Sequence, residues 1–245
     1  METAGWIIKF LVFVLGIQYL IGPIIVWCTQ KLPEKYVFRL VDSKKFLSER
    51  TPTFIALHEE IQDKEFEYID SSELNMSNTS VCFSIYNHFD KKIVCTLVTA
   101  RSDSINTTYI EFTQLYKNGS VLNVSNSSII NIYPTSEMRL SFRFPQVNDF
   151  DKLLTYAEKL INSNKQNEQR ITFEKGKEFE TVESYLNIEL NELIERGWVQ
   201  SKVVTGNRRL TIKGALLMTW KSVWPVKQIL NRSDIAYSKR AIENA

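Results

Sequence analysis

Histidine, cysteine and glycine are all scarce in this chain, and each scarcity removes some chemistry. Two histidines, His58 and His88, limit both metal sites and acid–base work near neutral pH. Three cysteines, Cys28, Cys82 and Cys95, are too few for a disulfide scaffold and lack zinc-site spacing. The eight glycines form neither a G-x-G-x-x-G fingerprint nor a Walker phosphate loop. His58-Glu59-Glu60 begins like a metalloprotease motif, but position 62 is Gln, so the second histidine of H-E-x-x-H is missing. A Cys–His pair would need Cys82 or Cys95 beside His88, together with an orienting group that the sequence does not offer. Glu59-Glu60 and the pair Glu178 and Glu180 lie in solvated charge runs. No catalytic set, cofactor site or metal site is therefore expected.

What is present is globular in composition, with 44% hydrophobic and 24% charged residues and a formal net charge of +2. The 245 residues have room for one span and one or two small domains. Residues 6 to 27, WIIKFLVFVLGIQYLIGPIIVW, would make a helix of roughly 33 Å, enough to cross a hydrocarbon core about 30 Å thick. Trp6 and Trp27 stand at its two ends as expected membrane-interface anchors. A cleaved signal peptide is the alternative. However, no small-x-small site follows the run, and Trp27-Cys28 puts a bulky ring where lipoprotein processing needs a small residue. Lys9 precedes the span core, whereas Lys31, Lys35, Arg39, Lys44 and Lys45 follow it. That bias predicts a single-pass protein of the cell membrane with its C-terminal bulk in the cytoplasm.

One pattern points to the opposite side. Asn75, Asn78, Asn106, Asn118, Asn123, Asn126 and Asn231 each begin an N-x-S/T acceptor, where chance would give about 2 to 3. Six of the seven lie in an Asn/Ser/Thr-rich stretch that turns and edge strands produce anyway.

The remainder reads as α+β: one N-terminal transmembrane helix, an antiparallel sheet with packed helices, and a C-terminal winged-helix-like unit. The expected boundaries are an anchor over 1–28, a juxtamembrane segment over 29–50 and an α+β domain over 51–163. A linker over 164–170, a winged-helix-like unit over 171–232 and a polar tail over 233–245 follow. Thr51-Pro52 reads as N-cap and first helical residue. Residues 81–86 and 92–99 flank the turn NHFDK. Asn118-Gly119 marks a second hairpin. Met138, Leu140, Phe142 and Phe144 alternate with Arg139, Ser141 and Arg143, so one face of the sheet is buried. Asn148 or Asp149 caps a helix whose apolar face is Leu153, Leu154, Ala157, Leu160 and Ile161. Cys82 and Cys95 would face each other only if the hairpin register paired them.

Val182, Tyr185, Leu186, Leu190, Leu193 and Ile194 form a helical stripe that ends at Arg196-Gly197, and a strand, a Gly-Asn turn and a second strand follow. Helix, basic hairpin and final helix, with the ending RRLTIKG, resemble the second half of a winged-helix domain over about residues 180–230. The whole chain also resembles uncharacterised single-span bacterial membrane proteins, a likeness that implies no function. Between Arg196 and Arg232 there are eight Lys or Arg residues and no acid. The helix in the recognition position carries Glu183, Glu189, Glu192 and Glu195, which repel phosphates and argue against nucleic acid as a partner. The final helix instead mixes Trp220 and Trp224 with Lys213, Lys221 and Lys227. These residues, with Arg208 and Arg209 of the hairpin, are the expected contacts to membrane lipid or to a protein partner. The alternative for the two tryptophans is packing in the domain core. The function expected is membrane-anchored binding or assembly at the cytoplasmic face, without catalysis. An exported or luminal recognition domain and a membrane-tethered nucleic-acid-binding regulator are the other readings.

Overall fold

A computed structural model describes residues 2–76, 79–102, 106–134, 136–164 and 169–245. In chain order, α1 (Glu2–Leu20), α2 (Gly22–Thr29) and β1 (Lys31–Pro33) come first, followed by β2 (Arg39–Leu40), α3 (Ser43–Ser48) and α4 (Pro52–Asp63). Then come β3 (Glu67–Met76), β4 (Thr79–His88), β5 (Ile93–Arg101), β6 (Asn106–Tyr116), β7 (Val121–Ser125) and β8 (Arg139–Arg143). The chain continues through α5 (Phe150–Ser163), β9 (Arg170–Ile171), α6 (Glu178–Glu195), β10 (Val199–Val204), β11 (Asn207–Leu210), α7 (Ile212–Ser222) and α8 (Val226–Asn244). Two compact units result. One gathers residues 1–35, 130–134 and 188–231; the other gathers 36–129, 135–187 and 232–245.

The larger unit is built on a sheet of order β2-β3-β4-β5-β6-β7-β8, with β9 added on β6. Strands β2 to β7 pair antiparallel. The last pair, β7 with β8, is parallel, so the sheet is mixed rather than antiparallel. The 13 residues from Asn126 to Met138 supply the crossover that a parallel neighbour requires. One sheet face carries Tyr86, Leu97, Ile110, Phe112, Leu122, Val124, Phe142 and Phe144 into the main core. There α4 adds Phe54 and Ile61, and α5 adds Phe150, Leu153, Leu154, Ala157, Leu160 and Ile161. Each fully buried side chain of this kind contributes about 1.5–3 kcal/mol. On the opposite face a smaller cluster packs Ile85, Val94, Leu115 and Val121 against Phe173, Phe179, Val182 and Tyr185.

The local signals account for these elements. The Thr51 hydroxyl accepts from Phe54 N at 3.3 Å, and Asp149 Oδ1 accepts from Lys152 N at 2.7 Å. Each satisfies one of the amides left open at a helix start. Gly119 takes φ +84° in the β6–β7 turn, a conformation glycine adopts without strain. Asn87 and His88, expected in a polar turn, extend β4 and are buried, so the turn is confined to the residues before Ile93. At the last hairpin the positive-φ pair is Thr205 and Gly206, and Asn207 already belongs to β11. The single final helix expected at 215–232 is two helices, separated at Val223–Pro225. The expected polar tail is the helical end of α8.

The smaller unit holds the three-stranded sheet β1-β11-β10 over a core of Val199, Leu210 and Ala215. It also overturns the expected anchor. Among the described residues no helix is long and apolar enough to cross a membrane. The run expected as one span is divided at Ile21 into α1 and α2. Pro23, with no N–H to continue the ladder, starts the second helix. By itself α1 is 19 residues, about 28 Å, and it carries Lys9 and Gln18 along its length. The eight-residue α2 lies against α7: a Cβ on Gly22 would come within 2.9 Å of Thr219 Cγ2. With the span go the membrane-interface role of Trp6 and Trp27 and the single-pass cell-membrane location. The cytoplasmic assignment goes as well, since the basic flank has no span to orient.

Candidate interaction surface

The smaller unit turns large apolar side chains outward. Among the described side chains of α1 the exposed large apolar ones are Trp6 (74%), Phe10 (66%), Phe13 (64%), Ile17 (41%) and Leu20 (73%), and the row continues through Ile24 (59%) on α2. The intervals of four and three residues place them along one helix stripe. On α7 the exposed large apolar side chains are Ile212, Leu216 and Trp220, one turn apart, with Trp224 beyond the helix end. The fully buried residues of α7 are small, Gly214, Ala215 and Thr219, and Met218 packs half-buried against the same core. Gly214 approaches Trp198 so closely that a Cβ would lie 2.0 Å from the Trp198 carbonyl oxygen. The Tyr19 hydroxyl donates to the Trp224 carbonyl at 3.1 Å. Trp220 (53%) and Trp224 (54%) are thus half-exposed rather than core.

Two of the expected basic contacts turn onto backbone carbonyls of their own unit. Arg208 is turned back on its own hairpin, its Nε donating to the Glu34 carbonyl at 3.3 Å and its Nη1 to the Ser201 carbonyl. Lys213 Nζ donates to the Arg196 carbonyl at 3.0 Å, where a cation meets the carbonyls at the end of α6. Lys213 and Arg196 both lie over the Trp198 ring, at 5.8 and 5.6 Å, and Tyr133 stacks on that ring at 5.9 Å. Lys221 is half-buried, whereas Lys227 and Arg209 are exposed. Arg209 stands opposite Lys31 in the β1–β11 register. The Tyr133–Trp198 stack was not foreseen, because it joins residues 65 apart in a sequence with no local pattern linking them.

In the larger unit, the candidates for chemistry are dispersed into structural contacts. Cys82 is opposite Thr99 and Cys95 opposite Tyr86, so the two cysteines are not cross-strand partners, and both are free. Cys82 Sγ lies 3.6 Å from both Arg50 Nη1 and Glu73 Oε1. Burial pushes both thiols up, Cys95 most, which suppresses the thiolate that nucleophilic work needs. His58 Nδ1 is hydrogen-bonded to the Tyr86 hydroxyl at 2.7 Å, with the Tyr68 ring edge-on at 5.1 Å. Tyr86 is bounded in turn by the Tyr68 ring, and the Tyr68 hydroxyl joins Ser71 at 2.8 Å and through it Ser84 at 2.6 Å. His88 Nε2 is 3.9 Å from Glu65. Burial holds both histidines below their ordinary value. Among the described residues no cluster of three or more His, Cys, Asp or Glu could hold a metal ion.

The acceptor asparagines differ in the same way. Asn123 is buried and donates to Glu111 Oε1 at 2.7 Å. Asn126 accepts from Ile110 N at 2.8 Å and donates to the Val147 carbonyl at 3.1 Å. Asn118 accepts from Ser120 N and Oγ in its turn. The side chains of Asn75, Asn78 and Asn106 lie outside the described residues. Compared with protein-family models, with curated proteins and with solved structures, the chain matches none.

Proposed function

We propose that this chain is a binding or assembly protein whose smaller unit docks on another protein through the apolar side chains of α1, α2 and α7. The observation that carries the reading is the outward row from Trp6 to Ile24 together with Ile212, Leu216, Trp220 and Trp224. Exposed apolar patches beyond a few hundred Å2 mark interaction sites, and Trp is the residue type most enriched at their energetic centres. The strand order β1-β11-β10, with α6 leading into β10, supports a winged-helix-like reading of this unit. Contact with nucleic acid is disfavoured, because Arg208 serves its own hairpin and α6 carries six glutamates. The test is affinity purification of the full chain from its native cells at fixed stoichiometry, alongside Phe13→Asp and Trp220→Ser. A defined protein retained by the parent and lost from both variants is expected. An unchanged set of proteins, or retention on lipid vesicles in place of any protein, would overturn the reading.

A further inference from the structure

The sheet β1-β11-β10 has one basic face. Leu32, Val199 and Leu210 turn inward to the core of the smaller unit, and side chains alternate between the two faces along each strand. The register therefore sets Lys31 opposite Arg209 on the outer face, with Pro33 opposite Asn207 beside them. On β10 the ladder pairs Val199 with Leu210 and resumes with Val203 at Arg208 and Val204 at Asn207. The bulged stretch 200–202, which ends in Lys202, thus falls across from Arg209. Lys31, Lys202 and Arg209 are exposed, as is Val204. None of the three strands contains an acid.

Resting on the docking function proposed above, we propose that this face takes a short acidic segment of the partner protein. Its carboxylates lie over Lys31, Arg209 and Lys202, and its apolar side chains meet Val204 and Pro33. Three observations favour it. The first is register. Like charges directly opposite on neighbouring strands repel, so an anion placed over Lys31 and Arg209 is drawn to both. The second is the company these cations keep. Val204 and Pro33 share their face, and apolar contact beside charge is the make-up of a protein interface. The third is extent. Arg208, which would enlarge the cationic surface, is bonded to the carbonyls of Glu34 and Ser201. What is left on this face spans three strands, about 10 Å, and matches two or three carboxylates. A nucleic-acid contact neutralises more, commonly about 6–10 phosphates.

Fluorescence anisotropy of a labelled peptide of alternating glutamate and leucine, titrated with the full chain, tests this. The parent is expected to bind it, and less tightly as salt is raised. Lys31→Ser with Arg209→Ser should bind it roughly 10-fold more weakly, with unchanged far-ultraviolet circular dichroism. Phe13→Asp should bind it as the parent does. Equal binding by the parent and the double variant, or loss of binding in Phe13→Asp alone, would overturn the proposal, since the peptide then sits elsewhere. Tighter retention of the parent on duplex DNA or on phosphatidylglycerol vesicles than on the peptide would overturn it as well. If the peptide fails to bind while a protein partner is still lost from Phe13→Asp and Trp220→Ser, this proposal falls and the docking reading stands. If the peptide binds as expected but no partner is recovered from cells, the docking reading falls and the acid-binding face stands.

Discussion

Asn126 offers the most direct test of how the larger unit is closed. The β6–β7 ladder runs out at the pair Glu111 and Ser125. One step further the backbone pattern is completed half by side chain: Asn126 N donates to the Ile110 carbonyl at 3.2 Å, while Ile110 N donates to Asn126 Oδ1 at 2.8 Å. Its Nδ2 donates to the Val147 carbonyl at 3.1 Å, which ties the approach to α5 onto the sheet. Ile110 and Val147 are 1% and 5% exposed, so water does not replace a lost partner. Asn126→Ala leaves one buried donor and one buried acceptor unmade. At about 1–3 kcal/mol for the N–H and less for a carbonyl, the cost is about 2–4 kcal/mol. Asn126→Asp keeps an acceptor for Ile110 but sets a carboxylate against the Val147 carbonyl, and should recover less than half of the loss. Native-state hydrogen exchange at the Ile110 amide is the suitable assay, because a chain of two units need not unfold in one step. A change below about 0.5 kcal/mol, with Ile110 protected as before, would refute the account. The same geometry means that a sugar on Asn126 Nδ2 competes with the Val147 bond, so its acceptor pattern should go unused in the folded chain.

Three further outcomes can be checked alongside. Gly214→Ala should destabilise the smaller unit by about 3 kcal/mol or more, because the added Cβ meets the backbone of Trp198 rather than a movable side chain; a melting curve like that of the parent would contradict it. Ser238→Ala removes the buried hydroxyl that accepts from Arg143 N at 2.8 Å, and should cost about 1–3 kcal/mol in a denaturant titration of the larger unit. For pH, His58 and His88 are held below their ordinary value by burial, so the folded state favours their neutral forms. Their contribution is complete above about pH 6.5 and is lost as the pH falls from there through the folded-state values. His58→Phe with His88→Gln should flatten that acid slope, and an unchanged slope would assign it to other groups.

The parts of this fold written in short sequence windows were legible in advance, and the parts that depend on distant pairing were not. Thr51, Asp149 and Gly119 act through partners two to four residues away, so their residue types alone specify a cap or a turn. The alternation from Met138 to Phe144 holds for Phe142 and Phe144, which lie in the core, and for Leu140 packed against it, whereas Met138 is exposed and Arg143 buried. It says nothing of direction, and β8 runs parallel to β7, because a crossover is decided by where the returning chain finds an uncovered edge. Asn87 and His88 read as turn residues by type, yet their places in the β4–β5 register carry them inside. The apolar run at the start of the chain is so uniform that its length signals a span; Gly22-Pro23 marks the kink locally, whereas the close approach of Gly22 to Thr219 of α7, nearly 200 residues later, shows in no local window. Among the surface candidates, residue type left Trp220 and Trp224 between core packing and outward contact, and the fold exposes both. It could not show that Arg208 and Lys213 would bond to backbone carbonyls of their own unit.

The fully buried residues of α7 are smaller than its exposed ones, and this asymmetry carries a last prediction. Its fully buried positions are Gly214, Ala215 and Thr219, with Met218 half-buried against the same core, and its exposed apolar ones are Ile212, Leu216 and Trp220. A helix stabilised only by its own core gains by placing its largest apolar groups inside, since each is worth about 1.5–3 kcal/mol when buried. Here the small residues allow close approach to α2 and Trp198, and the large ones contribute only when something covers them. The two faces should therefore respond oppositely to substitution. Ala215→Leu overfills a position 1% exposed and should cost about 1–3 kcal/mol of folding stability. Ile212→Ser acts at a side chain 63% exposed and should change folding by no more than about 1 kcal/mol. Covering that side chain is worth about 1–2 kcal/mol, so the same substitution should weaken the assembled state roughly 10-fold. Paired denaturation and association measurements on the two variants decide the matter. If Ile212→Ser unfolds the unit as Ala215→Leu does, the outward face is core and not a docking surface.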